Sequence, residues 1–162
     1  LRPAFKKDAT ITAANASSIS DGASALLLAS ADAVAQNNLT PMARILGVQS
    51  FAREPDEFTI APIGAIQGLL SKLDWQVDDV DLFEINEAFA MVTMLATQEL
   101  GLDASKVNVY GGACAQGHPI GSTGSRIILT LMTALKNKGL KRGVAALCIG
   151  GGEATAVAIE LV

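Results

Sequence analysis

The sequence is poor in charge, in aromatic rings and in side chains that bind metals. Of its 162 residues only 17% are charged and 4% are aromatic, with one histidine and two cysteines. Two cysteines cannot build the disulfide framework of a small secreted domain, so we expect reduced thiols. The net charge of −4 includes no basic stripe, which argues against nucleic acid as a partner.

Other classes of protein are also excluded by what is missing. A membrane-spanning helix needs about 18 or more apolar residues in a row, and no such run occurs. The acidic residues around position 78 have no histidine or cysteine among them, so no metal site is predicted. No secretory or transit peptide is visible, which favours a cytoplasmic location. The first residue is Leu1 rather than methionine, which suggests a fragment or a processed chain.

What is present is half hydrophobic, mostly Ala, Ile, Leu and Val, and is typical of buried strands covered by helices. Predicted strands and helices alternate along the chain. We predict strands at 10–14, 42–51, 82–85, 107–110, 144–149 and 154–162, and helices at 21–36, 62–73, 88–100 and from Pro119 to 138. This pattern predicts a layered α/β fold with a mixed, mostly parallel sheet and an antiparallel edge.

Three candidate functional side chains follow predicted strands. They are Asn86, His118 in the glycine-rich loop 108–126, and Cys148 before three glycines. Ligands bind at the carboxyl ends of strands in such sheets. A thiol near an imidazole can act as a base or nucleophile, and free glycine N–H groups can bind an oxyanion. Taken singly, a lone histidine is more often structural, and a lone cysteine is more often a small buried hydrophobe.

Four blocks of the sequence strongly resemble the signature blocks of the thiolase family and occur in that family's order. They are residues 86–89 (Asn-Glu-Ala-Phe), 112–121 (Gly-Ala-Cys-Ala-Gln-Gly-His-Pro-Ile-Gly), 148–152 (Cys-Ile-Gly-Gly-Gly), and 15–17 with 21–23. The resemblance implies a thiolase-like αβα fold and an acyltransferase that works on coenzyme A thioesters, without a further cofactor. A chain this apolar that represents only part of such a fold would leave a sheet face uncovered, so we also predict a homo-oligomer, a dimer or a tetramer.

The resemblance implies a role for each matched residue. His118 corresponds to the histidine that activates the nucleophilic cysteine and donates to one oxyanion hole, and Asn86 to the asparagine that fixes a water there. Cys148 corresponds to the acid/base cysteine, and Gly150 to the amide donor of the second oxyanion hole. Residues similar to those lining the pantetheine channel are Phe5, Ala13, Ser17 and Phe89, although ordinary packing would also explain these four.

The resemblance also shows what the chain lacks. The family's nucleophilic cysteine lies in a Cys-Gly-Ser-Gly-like setting that does not occur here, and Cys114 is in the wrong block, so we interpret it as structural. We therefore assign residues 1–38 to the closing segment of the N-terminal thiolase half and residues 39–162 to the C-terminal domain, and we expect no activity from this chain alone. The alternative is a non-catalytic interaction subunit or one half of a split thiolase.

Overall fold

Four strands form a single sheet that lies between two layers of helices. The computed structural model describes residues 1–162. The strands are β1 (Ala43–Ala52), β2 (Leu82–Ile85), β3 (Arg142–Cys148) and β4 (Glu153–Leu161). The helices are α1 (Ala31–Gln36), α2 (Ala61–Leu73), α3 (Ala90–Leu100), α4 (Ala113–Gln116) and α5 (Thr123–Lys138). Short 3-10 helices cover Pro55–Ile60, Val77–Asp79 and Ala104–Lys106.

The strand directions correct one part of the predicted sheet. The order is β1-β4-β3-β2, and β4 pairs antiparallel with both β1 and β3, while β2 pairs parallel with β3. The layered α/β fold and the mixed sheet are confirmed, but a mostly parallel pairing with an antiparallel edge is wrong. The reversed strand lies inside the sheet because the turn after β3 returns β4 between β3 and β1, so most neighbouring pairs are antiparallel.

The two faces of the sheet carry separate apolar clusters. Because side chains alternate along a strand, Phe83 and Ile85 of β2 pack with α2 and α3, whereas Leu82 packs with Ile127 and Leu131 of α5. All four residues of β2 are buried. β2 is therefore fixed from both sides, and Asn86, the residue that follows it, is also buried.

Several predicted helix ends are confirmed by left-handed backbone conformations. α3 ends at Gly101 (φ 64°) and α5 ends at Gly139 (φ 67°). Glycine adopts this conformation without a steric cost, so it commonly follows a helix. Pro62 lies in the first turn of α2, as predicted. The residue after a glycine stop can leave the helix axis at once, and both of these loops turn back toward the sheet.

Two predicted strands are absent. In residues 10–14 and 107–110 only isolated bridges form, between Pro3 and Thr12 and between Phe83 and Val107. A left-handed Asn108 (φ 47°) interrupts the second segment. Its amide side chain accepts from the Ile85 N–H and donates to the Ile85 carbonyl, both at 2.8 Å, and so takes the place of a fifth strand at this point.

The helix predicted at 21–36 is confirmed only for Ala31–Gln36, where Ser30 rather than Asp21 is the N-cap. Residues 21–30 have no helical assignment and donate no backbone hydrogen bond within the chain. Ser24 ties this segment to the start of α5 through Ser122 (2.7 Å) and Ser125 (2.6 Å), while Leu27 and Leu28 are exposed. The segment is a strip without regular secondary structure, and its exposed leucines have no cover in this chain.

Two other helices begin later than predicted. The predicted start at Pro119 is wrong because residues 119–122 form a turn, and α5 begins at Thr123; likewise, α3 begins at Ala90 instead of residue 88. None of the helices combines the length and the apolar character that crossing a membrane would require.

Candidate active site

The ends of β2 and β3 carry two of the predicted site residues to the same edge of the sheet. The Asn86 N–H donates to the Ala146 carbonyl (2.9 Å), which extends the parallel pairing by one step beyond β2. Cys148 is the last residue of β3, two residues beyond Ala146. Asn86 and Cys148 therefore lie on neighbouring strands at the same edge, although no hydrogen bond joins their side chains.

A bent loop places His118 against Asn86. The Asn86 Nδ2 and His118 Nε2 atoms are 3.5 Å apart, a long contact. The loop is held by the His118 N–H, which donates to the Ser18 carbonyl (2.8 Å), and by Arg126 Nη1, which donates to the Gly117 carbonyl (2.9 Å). Gly117 itself has a left-handed φ of 86°, and a side chain there would overlap Ser20.

Thr123 determines which nitrogen of His118 carries the proton. The Thr123 hydroxyl donates to the Pro119 carbonyl (3.0 Å), and a carbonyl oxygen can only accept. With its one proton used, Thr123 Oγ1 accepts from His118 Nδ1, 2.7 Å away. Neutral His118 is therefore protonated at Nδ1, and its Nε2 lone pair faces the N–H donors of Asn86. An imidazole held in this form can accept a proton at Nε2.

The charge of His118 is suppressed by its surroundings. Burial lowers its pKa below the ordinary value, and the positive charge of Arg126 lowers the pKa further. Both effects favour the neutral ring, which is the form that can serve as a base. The neutral, Nδ1-protonated ring is thus the resting state at neutral pH.

Only one end of the Asn86 side chain, the Nδ2 group, has a polar contact. It is 2% exposed, and its Oδ1 atom has no hydrogen-bond partner. Glu84, two residues earlier on the same face of β2, is 4% exposed and also has an unpartnered oxygen, Oε1. Burial raises the pKa of Glu84 to about 7; the neighbouring Glu87 raises the pKa as well, and Arg126 lowers it.

Cys148 is a protonated thiol at rest. Burial raises its pKa, and no hydrogen bond joins the thiol to His118 or Asn86. The turn that follows leaves the N–H of Gly150 without a partner in the chain and with open space around its Cα atom. Gly152 closes this turn at φ 104° against the Arg53 carbonyl. A half-buried thiol and a free amide donor therefore adjoin each other at the end of β3.

The geometry around Cys114 agrees with a structural thiol. Its N–H donates to Glu87 Oε2 (3.0 Å), and its thiol faces the Glu87 carbonyl (3.8 Å). Burial and the Glu87 carboxylate raise the pKa of this thiol. A thiol that is hard to ionise is a poor nucleophile.

Three of the four predicted channel residues lie together. The Ser17 hydroxyl donates to the Ala88 carbonyl (2.9 Å), and the Phe5 and Phe89 rings meet edge to face with centroids 5.9 Å apart. Phe5 is 69% exposed, so one wall of this cluster is open. Ala13 is exposed in the preceding turn, and the structure brings it into no hydrogen bond or ring contact with the others.

A cavity of about 650 Å³ lies elsewhere, between β1, α2 and α3. Gln49, Gly64 and Leu95 are among the residues that line it, and none of the predicted site residues does. The candidate site is therefore an open edge of the sheet rather than this cavity.

Three residues of the site were missed by reasoning from the sequence. Glu84 carried a signal, since it is the only charged residue in an apolar strand. Thr123 and Arg126 carried none, because their contacts with the His118 loop depend on the turn at 119–122.

Comparison with known proteins identifies the same blocks. The family model described as "Thiolase, C-terminal domain" matches residues 39–161, and that described as "Thiolase, N-terminal domain" matches residues 1–32. The chain is 52% identical over 162 residues to an acetyl-CoA acetyltransferase of Synechocystis sp., covering 100% of this chain and 41% of the relative. It is 48% identical over 160 residues to the mitochondrial 3-ketoacyl-CoA thiolase of Homo sapiens, covering 99% of this chain and 40% of that protein.

Solved structures of the same kind superpose closely. The acetyl-CoA acetyltransferase of Bacillus anthracis gives a TM-score of 0.97 at 46% identity, with 100% of this chain and 41% of that one covered. Human mitochondrial 3-ketoacyl-CoA thiolase in complex with CoA gives 0.93 at 44% identity, with coverage of 100% and 41%. The chain thus spans about 41% of the length of these relatives. On the match over residues 39–161, this chain belongs to the thiolase family.

Proposed function

We propose that this chain is the part of a thiolase that carries the acid/base and oxyanion-binding groups, and that the polypeptide containing it transfers acyl groups between coenzyme A thioesters. The observation that supports this most is the contact of Asn86 Nδ2 with His118 Nε2 (3.5 Å), with the proton of His118 held on Nδ1 by Thr123. Acyl transfer through a cysteine needs a base with a free lone pair and donors beside it. Both occur here at one point.

His118 has two successive tasks in this proposal. Its Nε2 lone pair takes the proton from a cysteine nucleophile, so that the thiolate can attack the thioester carbon. Once protonated, the same Nε2–H donates to the oxygen on which negative charge develops. Burial and Arg126 lower the pKa of His118, which keeps the ring neutral and ready for the first task near pH 7.

Asn86 supports the second task. Its Nδ2 group can donate to a water whose own protons point at the thioester oxygen. One such donor is typically worth about 3 kcal/mol of the barrier. Because Asn86 is buried at the end of β2, this donor needs little reorganisation during the reaction.

Cys148 exchanges the proton on the α-carbon. Its raised pKa keeps it as a thiol at rest, which suits giving a proton to the departing enolate during thiolysis. In the condensing direction the thiol first gives its proton to the coenzyme A thiolate that leaves when the acyl-enzyme forms, and the resulting Cys148 thiolate then takes the α-proton of acetyl-CoA. The free N–H of Gly150 is the donor we assign to the second oxyanion.

The cluster of Ser17 and Phe89 is our candidate for the channel that holds the pantetheine arm. Phe5 lies at the open side of this cluster, and we place Ala13, in the preceding turn, farther along the same channel. Small and apolar side chains suit a thin, uncharged arm. The relatives include a structure that holds CoA, which supports coenzyme A thioesters as the substrates of this chain's family site.

The nucleophile must come from outside this chain. Residues 21–30, with exposed Leu27 and Leu28 and no backbone donor used, favour a partner half that covers them. The same uncovered residues 21–30 also support a second candidate function, a non-catalytic interaction subunit or one half of a split thiolase. The intact mass of the native polypeptide, with its co-purifying chains, separates a joined half from a split one, and its size in solution tests the predicted oligomer.

The activity test compares the 162-residue chain with the complete polypeptide, each incubated with acetoacetyl-CoA and CoA. We expect the chain alone to yield no acetyl-CoA and no acyl-enzyme, and the complete polypeptide to yield acetyl-CoA. Turnover by the chain alone would show that it holds its own nucleophile. A complete polypeptide without turnover would contradict the proposed function and favour the interaction subunit.

A further inference from the structure

Glu84 is a buried acid that the reaction described above does not use. It lies in β2 among Leu82, Phe83 and Ile85, and it is 4% exposed. No side chain or backbone group hydrogen-bonds its Oε1 atom, and it forms no ion pair. Placing an acid among buried apolar side chains is costly unless its polar atoms find partners, so its presence here calls for one.

Glu84 and Asn86, which each have an unpartnered oxygen, line the same small cavity. The cavity has a volume of about 10 Å³, and its lining includes Glu84, Asn86, Gln116, Arg126 and Thr130. A space of about this size, with several polar atoms around it, holds one water molecule. Since Glu84 and Asn86 are two residues apart, both side chains point to the α5 face of the sheet.

The Glu84 carboxyl and the Asn86 amide oxygen can be joined only if a hydrogen-bond donor stands between them. Asn86 Oδ1 can accept but not donate. The charged groups that face Glu84 are Glu87 on the following turn and Arg126 on α5, and together with burial they place its pKa at about 7. Near neutral pH a large fraction of Glu84 is therefore protonated, and its O–H can donate through a water to Asn86 Oδ1.

We propose that Glu84 is a positioning residue that holds the amide oxygen of Asn86 through a water in this cavity and thereby keeps Nδ2 turned toward His118 Nε2. If the amide rotated by half a turn, Oδ1 would face the lone pair of Nε2, and both the contact and the donor to the thioester oxygen would be lost. The inference about the amide rests on the contacts above, whereas its kinetic consequence rests on the proposed function.

The test uses two substitutions of Glu84 and one control. Glu84→Gln keeps the shape and a donor. Glu84→Met removes both polar atoms at a similar volume and leaves Asn86 Oδ1 without its partner, at a cost of about 1–3 kcal/mol that a domain of ordinary stability tolerates. Glu99→Gln removes an exposed carboxylate on α3 and serves as the control. The readouts are the ¹⁵Nε2 chemical shift of His118, at a pH where the ring is neutral, and kcat and KM of the complete polypeptide.

We expect Glu84→Gln to match the control in both readouts. Glu84→Met should shift the His118 Nε2 signal and lower kcat by about tenfold with little change in KM, the effect of a misplaced donor. A Glu84→Met variant with the control's Nε2 shift and kcat would overturn the proposal. If the unaltered polypeptide shows no thiolase turnover, the proposed function fails, while the Nε2 comparison still decides whether Glu84 positions Asn86.

Discussion

Replacing Thr123 with valine should move the proton of His118 from Nδ1 to Nε2. Valine has nearly the same shape but no hydroxyl, so Nδ1–H loses the acceptor that lies 2.7 Å away. A neutral hydrogen bond of this kind contributes about 1 kcal/mol net, and a buried donor without a partner costs about 1–3 kcal/mol. Carrying the proton on Nε2 removes that cost and gives up only the 3.5 Å contact with the Asn86 N–H donors, which is too long to be a strong hydrogen bond. The Nε2–H form should therefore rise about fivefold or more relative to Nδ1–H.

The assay is ¹⁵N NMR of the imidazole, which is unambiguous because the chain has a single histidine. Above the pKa of His118, the unaltered chain should show a protonated Nδ1 and an unprotonated Nε2. Thr123→Ser keeps the hydroxyl and should give the same pattern, whereas Thr123→Val should show protonated Nε2. A protonated Nε2 in the unaltered chain, or identical spectra for the serine and valine variants, would refute the assigned roles of Thr123 and Pro119.

Three further predictions concern stability and charge. The pKa of Glu84 is raised from 4.5 to about 7 in the folded state, so the folded chain holds this proton more tightly than the unfolded chain does. The proton therefore adds at most about 3 kcal/mol to the free energy of unfolding. This stabilisation is fully present below pH 4.5 and is lost as pH rises through 7. Denaturant unfolding across this range should show the loss in the unaltered chain and a smaller one in Glu84→Gln. Arg126→Met removes a positive charge and should raise the pKa of His118, although burial keeps that pKa below the ordinary value. NMR titration of the imidazole measures the change, and an unchanged pKa would contradict the electrostatic cause. Gly152→Ala should destabilise the fold by about 1–3 kcal/mol, since the φ of 104° and a neighbouring carbonyl leave no room for a Cβ atom. Gly150→Ala, at a position with open space, should unfold like the unaltered chain. Equal unfolding midpoints for the two variants would show that the turn is not strained.

The parts of the fold that followed from the sequence are those fixed by local patterns. β2 was predicted at 82–85 because an apolar run stands between an acidic turn and Asn86, and the structure gives Leu82–Ile85. The ends of α3 and α5 followed from Gly101 and Gly139. In each case the local residue pattern decides the backbone, and no distant contact is needed.

The parts that did not follow depend on distant partners. An apolar run such as 25–29 fits a helix or a strand equally well, and this one forms neither and follows Ser24, which is bonded to Ser122. The position of β4 inside the sheet depends on its pairing with β1, which is more than 100 residues earlier and leaves no mark in either strand. In the site, Asn86 and His118 could be expected at one edge, but the proton position on His118 depends on Thr123, whose role arises only from the turn after Pro119.

The most direct measurement of the central claim is the rate of acetoacetyl-CoA thiolysis by the complete polypeptide with His118→Ala, Asn86→Ala and Cys148→Ala, each beside the Glu99→Gln control. If the three side chains form one acyl-transfer site, we predict that each substitution lowers kcat by about 100-fold or more while the control keeps its rate. Three variants that all turn over at the control's rate would contradict the account.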